Sequence, residues 1–469
     1  MRKSILLLSI ALLLGWSPTA RAQLSGQFVG AVTDPSGSAV PEAKITVIEM
    51  ATGFSRSVTA GAEGFYSVPS LRPAVYKITV EAPGFRTSAQ EGITLEADQS
   101  ATVNFKLILG AVTETVSITA SAVQVDTSTG TIKQVIDSAC IVELPLNGRN
   151  AATLTLTVAG ALQAPLSGAD QGQGKTFPGA VAYSVNGSRQ NEMSYMLDGA
   201  NNMDSYSNIN APFPFPDALQ EFSVQTSNYS AEYGQNAGGV VNVITKSGTN
   251  QFHGDAFEFV RNAVFNARNF FAAQRDQLKR NQFGGTLGGP VILPGYNGRN
   301  RTFFFVGYQG TRIRNLQGGL SAFLPTAANL QGDFSNVLTA NPNNPIGKAT
   351  TILDPVTGQP FAGNRIPLSR FDPASFGVTK YLPAGAGNGS VFYTQPIQQS
   401  FNETIVRADH SFSEKDRLTG RYYANKFYTP SAWDPHFAVV YVDGVDFFVQ
   451  NGLLQETHIF SPTVLNDVR

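Results

Sequence analysis

The one long apolar run in the chain is Ile5–Trp16, and it limits everything that follows. Arg2 and Lys3 precede it and Ala20-Arg21-Ala22 follows it, the order of basic region, apolar region and small-x-small cleavage site in an export signal. Residues 1–22 therefore read as a signal peptide. The run is shorter than the roughly 20 apolar residues of a membrane helix, and no later stretch approaches that length. An exported chain without a membrane helix can enter a bilayer only as a β-barrel, whose strands satisfy every backbone group among themselves.

Composition agrees with that restriction. Charged residues are 14% of the chain, well below the roughly 25% of soluble proteins, while Gly is 45 and aromatics are 10%. Lys plus Arg is 33 against 34 for Asp plus Glu, so no basic field points to nucleic acid. The single Cys140 cannot form an internal disulfide and is too far from the N-terminus to be a lipid-anchored first residue.

Residues 24–108 carry short alternating runs at Gln27–Val32, Lys44–Ile48, Ser55–Thr59, Tyr66–Val68, Tyr76–Glu81, Gly92–Leu95 and Thr102–Leu107, separated by turns such as Asp34-Pro35-Ser36-Gly37 and Ala82-Pro83-Gly84. This spacing predicts a β-sandwich with positions 45, 47, 76, 78, 80, 103, 105 and 107 in its core. The phrases Gly30–Gly37, Pro41–Val47, Gly64–Val68 and Tyr76–Phe85 resemble the carboxypeptidase regulatory-like domain, a prealbumin-like sandwich without catalytic residues.

Residues 217–254 predict a helical turn over Ala218–Glu221 capped by Pro216-Asp217, a strand over Phe222–Gln225, a Gly-rich loop and a buried strand over Val240–Thr245. Glu221, Phe222, Val224, Tyr233, Gly234 and Gly238–Lys246 resemble the end of the plug of TonB-dependent outer-membrane receptors. Asn228–Gly234, and Ile141–Leu146 (an early plug helix) with the turn Asn147-Gly148-Arg149-Asn150, are most similar to the Oar-like branch of that family. The Leu-Arg-Gly of the best-known siderophore receptors is absent, which points away from a siderophore. The resemblance implies a small mixed α/β plug over 121–250.

Between sandwich and plug, residues 111–120 alternate Thr and Val and predict a short strand, either the last strand of the sandwich or a linker. Glu114, Thr115, Val116, Ser117, Ile118 and Thr119 also resemble a TonB box, the extended segment that pairs with a TonB-like periplasmic energy-coupling protein.

From residue 251 the expectation is the start of an antiparallel transmembrane β-barrel, with strands at 252–261, 281–291, 301–314, 401–412, 417–428 and 449–460. In 417–427, Leu418, Gly420, Tyr422 and Ala424 fall on one face and Arg417, Thr419, Arg421 and Asn425 on the other, apolar outward and polar inward. Strands 252–261 and 301–314 alternate poorly. Long connections (262–280, 315–400, 429–448) alternate with short ones (292–300, 413–416, 461–464), as external loops alternate with periplasmic turns. Plugged transporters use about 22 strands, so the stop at Arg469 implies a fragment or truncated product, an incomplete barrel.

His253, His410, His436 and His458 form no HExxH or HxxE pattern, and no GxSxG elbow or P-loop occurs. No catalytic, metal or cofactor residue is expected, and no enzyme. Arg407, Asp409 and Arg421 are predicted to face the lumen, as a cross-strand charge pair or a substrate contact. The resemblance implies active uptake of a large solute, with oligosaccharide or peptide favoured over siderophore. The alternative is a surface binding or adhesion protein whose sandwich grips carbohydrate or protein. Expected partners are the coupling protein, outer-membrane lipid and an unidentified external ligand, with no nucleic acid.

Overall fold

The computed structural model describes residues 25–110, 115–119, 130–164 and 181–469, apart from positions 205, 207, 231, 232, 234, 235, 269, 271–274, 276, 341–343, 345, 384, 439, 462 and 463. The expected signal peptide and Glu114 lie outside the described residues.

The N-terminal runs form β1 (Gly26–Thr33), β2 (Lys44–Glu49), β3 (Ser55–Thr59), β4 (Phe65–Leu71), β5 (Ala74–Glu81), β6 (Thr87–Leu95), β7 (Ser100–Thr102) and β8 (Phe105–Lys106). One sheet runs β4-β1-β7, with β8 also on β1. The second runs β3-β2-β5-β6 and ends on β9 (Thr115–Thr119), which pairs in parallel with β6. All eight expected core positions are buried, because successive side chains of a strand point to opposite faces. The last expected strand is broken in two: the Asn104 side chain accepts the Ala31 N–H at 2.9 Å where the ladder is interrupted.

The main sheet of the middle region comprises β10 (Ile132–Asp137), β11 (Met193–Leu197), β12 (Ala200–Asn201), β13 (Leu219–Ser227) and β14 (Gly239–Thr245), in the order β10-β13-β14-β11-β12. Every residue of β14 is buried, as expected of a central strand covered on both faces. The early helix is α1 (Ser138–Glu143), not 141–146. Asp137 starts it by accepting the Cys140 N–H at 2.8 Å, and Pro145 ends it by disfavouring helical backbone at Leu144. The helical turn before β13 is likewise shorter than expected, Pro216–Ala218, because Leu219 already pairs with Thr245.

The remainder is an antiparallel meander in chain order: β15 (His253–Asn262), β16 (Lys279–Pro290), β17 (Thr302–Phe323), β18 (Ser390–Ser411), β19 (Asp416–Thr429), β20 (Val445–Ser461) and β21 (Val464–Val468). β17 and β18 are much longer than expected. They pair from Thr302↔His410 to Phe323↔Ser390 across one bulge, so the long loop is 324–389 rather than 315–400. A crossing needs only about 9–11 residues, and these 22-residue strands are about twice that length. The long–short alternation of connections persists.

Thr419, Arg421 and Asn425 are buried on the inward face and Tyr422 is exposed on the outward face, as the alternation predicts. Tyr423 and Phe427 also point inward, and Phe305, Ile405 and Tyr423 share one hydrophobic core with Phe213, Phe215 and Phe222 of the middle region. The polar-inward rule fails along 301–314 because that part of the wall packs on an apolar partner instead of water. The sandwich docks at the short-turn end: Asn250 Nδ2 donates to Thr52 O at 2.7 Å and Ser55 Oγ to Glu414 Oε1 at 3.3 Å. The Arg417 guanidinium stacks over Phe54 at 4.2 Å.

Residues 25–108 bury a core of their own. Excised, they should unfold cooperatively, and Ile78→Ala should lower their stability by about 2–5 kcal/mol in urea titration. A spectrum without a melting transition would contradict this.

Candidate functional site

Chemistry concentrates where the three regions meet. β11 and β12 are joined by a tight turn, Asp198-Gly199, with φ of 49° and 77°. Both lie in the left-handed region, which Asp tolerates and Gly adopts freely. The turn aims Asp198 at the wall. Its Oδ1 accepts from Thr245 N at 2.9 Å and Arg407 Nη1 at 3.3 Å. Its Oδ2 accepts from Thr245 Oγ1 at 2.9 Å and Arg421 Nε at 3.1 Å. The arginines are held in turn: Arg407 Nη1 donates to Thr245 O at 3.0 Å, and Arg421 donates to Leu197 O at 3.0 Å and Asn451 O at 2.8 Å.

The network continues into the sandwich. Arg407 Nε donates to Asp409 Oδ2 at 3.0 Å, and Asp409 Oδ1 also accepts from Thr419 at 2.8 Å and from Arg72 at 2.5 Å. Three guanidinium groups thus meet two carboxylates, and the outermost is Arg72, whose side chain is 19% exposed against 8% for Arg407 and 0% for Arg421. A buried ion pair adds little by itself, but removing one partner strands the other and costs about 3–5 kcal/mol. The arrangement therefore fixes position: Asp198 fits only with both wall arginines in place.

Two further contacts flank it. Arg149, in the turn after α1, forms an ion pair with Asp217, donates to Gln309 Oε1 at 3.2 Å and stacks over Phe257 at 4.7 Å and Phe259 at 4.2 Å. On the opposite side, the turn Glu96–Gln99 of the sandwich meets Glu221, which accepts the Ala97 N–H at 3.2 Å. Lys133 Nζ donates to Ala97 O at 2.7 Å, and Tyr233 OH to Asp98 at 2.6 Å. Burial pushes the Glu221 carboxyl up from the ordinary 4.5 to about 7, with Lys133 opposing the shift.

Arg407, Asp409 and Arg421 face the lumen as expected; Arg407 pairs with Asp409 on its own strand, and Asp198 and Arg72 complete the set. The sequence reading missed both. The cue for Asp198 was Asp-Gly directly after an apolar strand; Arg72 had no cue, because its partner is distant in sequence. Of the box-like residues, the backbone of Thr115–Thr119 lies along β6, from Thr87↔Thr115 to Glu91↔Thr119. Among the described residues, one group has metal-ligand proximity: Asp416, Glu456 and His458, within 4.8 Å of one another and partly exposed. Asp416 and His458 are already paired with each other.

A wall of antiparallel strands clamped onto an internal α/β domain is the build of a plugged outer-membrane barrel. Family comparison matches residues 244–469 to an Outer membrane beta barrel domain, 27–108 to a Carboxypeptidase regulatory-like domain and 150–241 to the TonB-dependent Receptor Plug Domain. The TonB-dependent transporter Oar of Myxococcus xanthus is 27% identical over 315 residues, covering 62% of this chain and 28% of that protein. The matches give this chain, in order, a regulatory-like domain, a TonB-dependent receptor plug and an outer-membrane barrel domain, so it resembles the TonB-dependent outer-membrane receptors of the Oar-like type, and it spans under a third of the length of the curated relative it matches. Among solved structures, the outer membrane transporter YddB of Escherichia coli aligns with 69% of this chain and 36% of its own, at 11% identity and a TM-score of 0.37. A ferric enterobactin receptor of Pseudomonas aeruginosa aligns with 70% and 41%, at 14% identity and a TM-score of 0.30.

The raised Glu221 carboxyl sets a pH dependence. A protonated Glu221 is favoured in the docked state, so its stabilising contribution is full below about pH 4.5 and is lost as pH rises through about 7. Urea midpoints of the detergent-solubilised protein should therefore fall between pH 5 and pH 8. In Glu221→Gln this component should vanish; an unchanged slope in the variant would contradict it.

Proposed function

We propose that the full protein imports a large solute, an oligosaccharide or a peptide rather than a siderophore, across the outer membrane. A TonB-like periplasmic protein engages Glu114, Thr115, Val116, Ser117, Ile118 and Thr119 by strand pairing. In this reading residues 24–108 are a periplasmic sandwich, 121–250 the plug and 251–469 the beginning of the barrel wall. Loops 263–278, 324–389 and 430–444 face outward and meet the ligand, since recognition concentrates on loops held by a rigid scaffold. The outer surface of the wall contacts outer-membrane lipid.

The observation that carries this reading is the position of the box-like strand. It lies between a sandwich that grips the wall through Arg72 and a plug that grips the wall through Asp198. Force on the strand acts on both grips, and breaking the Asp198 contacts frees the plug. The strand already occupies an edge of the sandwich sheet, so the coupling protein either displaces it from β6 or pairs with its other edge.

Replacing Val116 or Ile118 with Pro removes a backbone N–H and obstructs strand pairing. Uptake by cells should fall by tenfold or more, on the order of one lost strand-pairing contact, while the amount of protein in the outer membrane stays normal. Unchanged uptake would make 115–119 a structural strand only.

A further inference from the structure

The outer end of the first two wall strands carries a charge arrangement that the Asp198 network does not use. Arg261 on β15 and Arg280 on β16 are direct cross-strand partners. They share the lumen face with Phe257, Phe259 and Gln282, and like charges placed opposite each other destabilise a strand pair. Among the described residues neither has a carboxylate within ion-pair distance, and Arg280 Nε is buried without a hydrogen-bond partner. Arg280 also lies against the plug: a methyl group on Gly148 would sit 3.2 Å from its Nη1.

Arg280 lines a cavity of about 230 Å³ between the plug turn 147–150 and the wall, together with Asn147, Asn210, Gln282, Gln399 and Phe401; the other charged groups in its lining are already engaged, Arg149 with Asp217 and Glu403 with Gln309 and Tyr423. The volume is on the order of one sugar unit. Asn210 is 1% exposed, and its Oδ1 has no partner. Side-chain amides donate and accept at once, which matches neighbouring hydroxyls. Phe401 supplies an aromatic ring, and an unneutralised guanidinium fork matches a carboxylate.

We propose that this pocket takes the carboxylate of an acidic oligosaccharide, with Arg280 on the carboxylate, the amides on the adjacent hydroxyls, and Arg261, its cross-strand partner outside the lining, adding positive charge beside it. The ligand neutralises the arginine pair and supplies an acceptor for the orphaned Nε; its hydroxyls satisfy Asn210. The inference rests on the uptake reading only for what becomes of the bound sugar.

The test is calorimetric titration of the full-length protein in detergent with trigalacturonate, with maltotriose as the neutral sugar and triglutamate as the acid without sugar. Trigalacturonate should bind with an affinity that falls as salt rises, and maltotriose should bind at least about tenfold more weakly. Arg280→Gln should weaken trigalacturonate by about tenfold or more, and Arg280→Lys by less. Equal binding of the two sugars, or an unchanged affinity in Arg280→Gln, overturns the proposal. Tighter binding of triglutamate than of trigalacturonate overturns the sugar assignment. Should Arg280→Gln melt early, Arg261→Gln, whose side chain is exposed, carries the same comparison. Binding is measured without a coupling protein, so its failure leaves the uptake reading to the Val116 test.

Discussion

One buried carboxylate organises this molecule. Asp198 is desolvated, so it needs compensation from every side, and its four donors come from two regions: Thr245 within the plug, and Arg407 and Arg421 on adjacent wall strands. The two arginines face each other directly across β18 and β19. Without Asp198 they would repel at close range in a poorly solvated lumen, so the wall depends on the plug as much as the plug on the wall. Arg407 passes the interaction to Asp409, and Asp409 passes it to Arg72, which ties the sandwich to the same point.

Around this ionic centre the contact is apolar. Phe305, Ile405 and Tyr423 belong to the plug's own core, so wall and plug bury one continuous hydrophobic cluster. Such an interface is non-directional and would tolerate sliding. The ion pairs and the Arg149 stack on Phe257 and Phe259 remove that freedom. A plug that must be held firmly and yet released benefits from this division: apolar burial supplies adhesion, and a few stringent polar contacts define the register.

The sandwich was legible in the sequence because its information is local. Strict alternation and turn residues predicted its strands and all eight core positions. The wall was legible through its connection lengths and through 417–427, where Arg421 and Tyr422 sort to opposite faces. The plug strand over Val240–Thr245 was legible as a β-branched run. What escaped was non-local. Strand 301–314 alternates poorly because Phe305 on its inner face packs into a core whose other members lie in another region. The ends of β17 and β18 escaped because Gly318-Gly319 and Pro396 interrupt the local strand pattern, and these segments gain strand character only by pairing with each other. Nothing local in the sequence names the partners of Asp198 and Arg72, which are Arg421 and Asp409 and are brought beside them only by folding. Arg407, Asp409 and Arg421 were correctly placed in the lumen, but alternation gives a side chain's direction and not its partner.

The central claim is that Asp198 and the wall arginines act as one unit that fixes the plug. A double-mutant cycle measures it directly: urea unfolding of the full-length protein in detergent, comparing wild type, Asp198→Asn, Arg421→Gln and the double variant. Residues in one buried network couple by about 0.5–3 kcal/mol. The account predicts a coupling in the upper part of that range, with the double variant little worse than either single one. Additive losses, with a coupling near zero, would mean that the two residues stabilise the protein independently and that the plug is held by apolar packing alone.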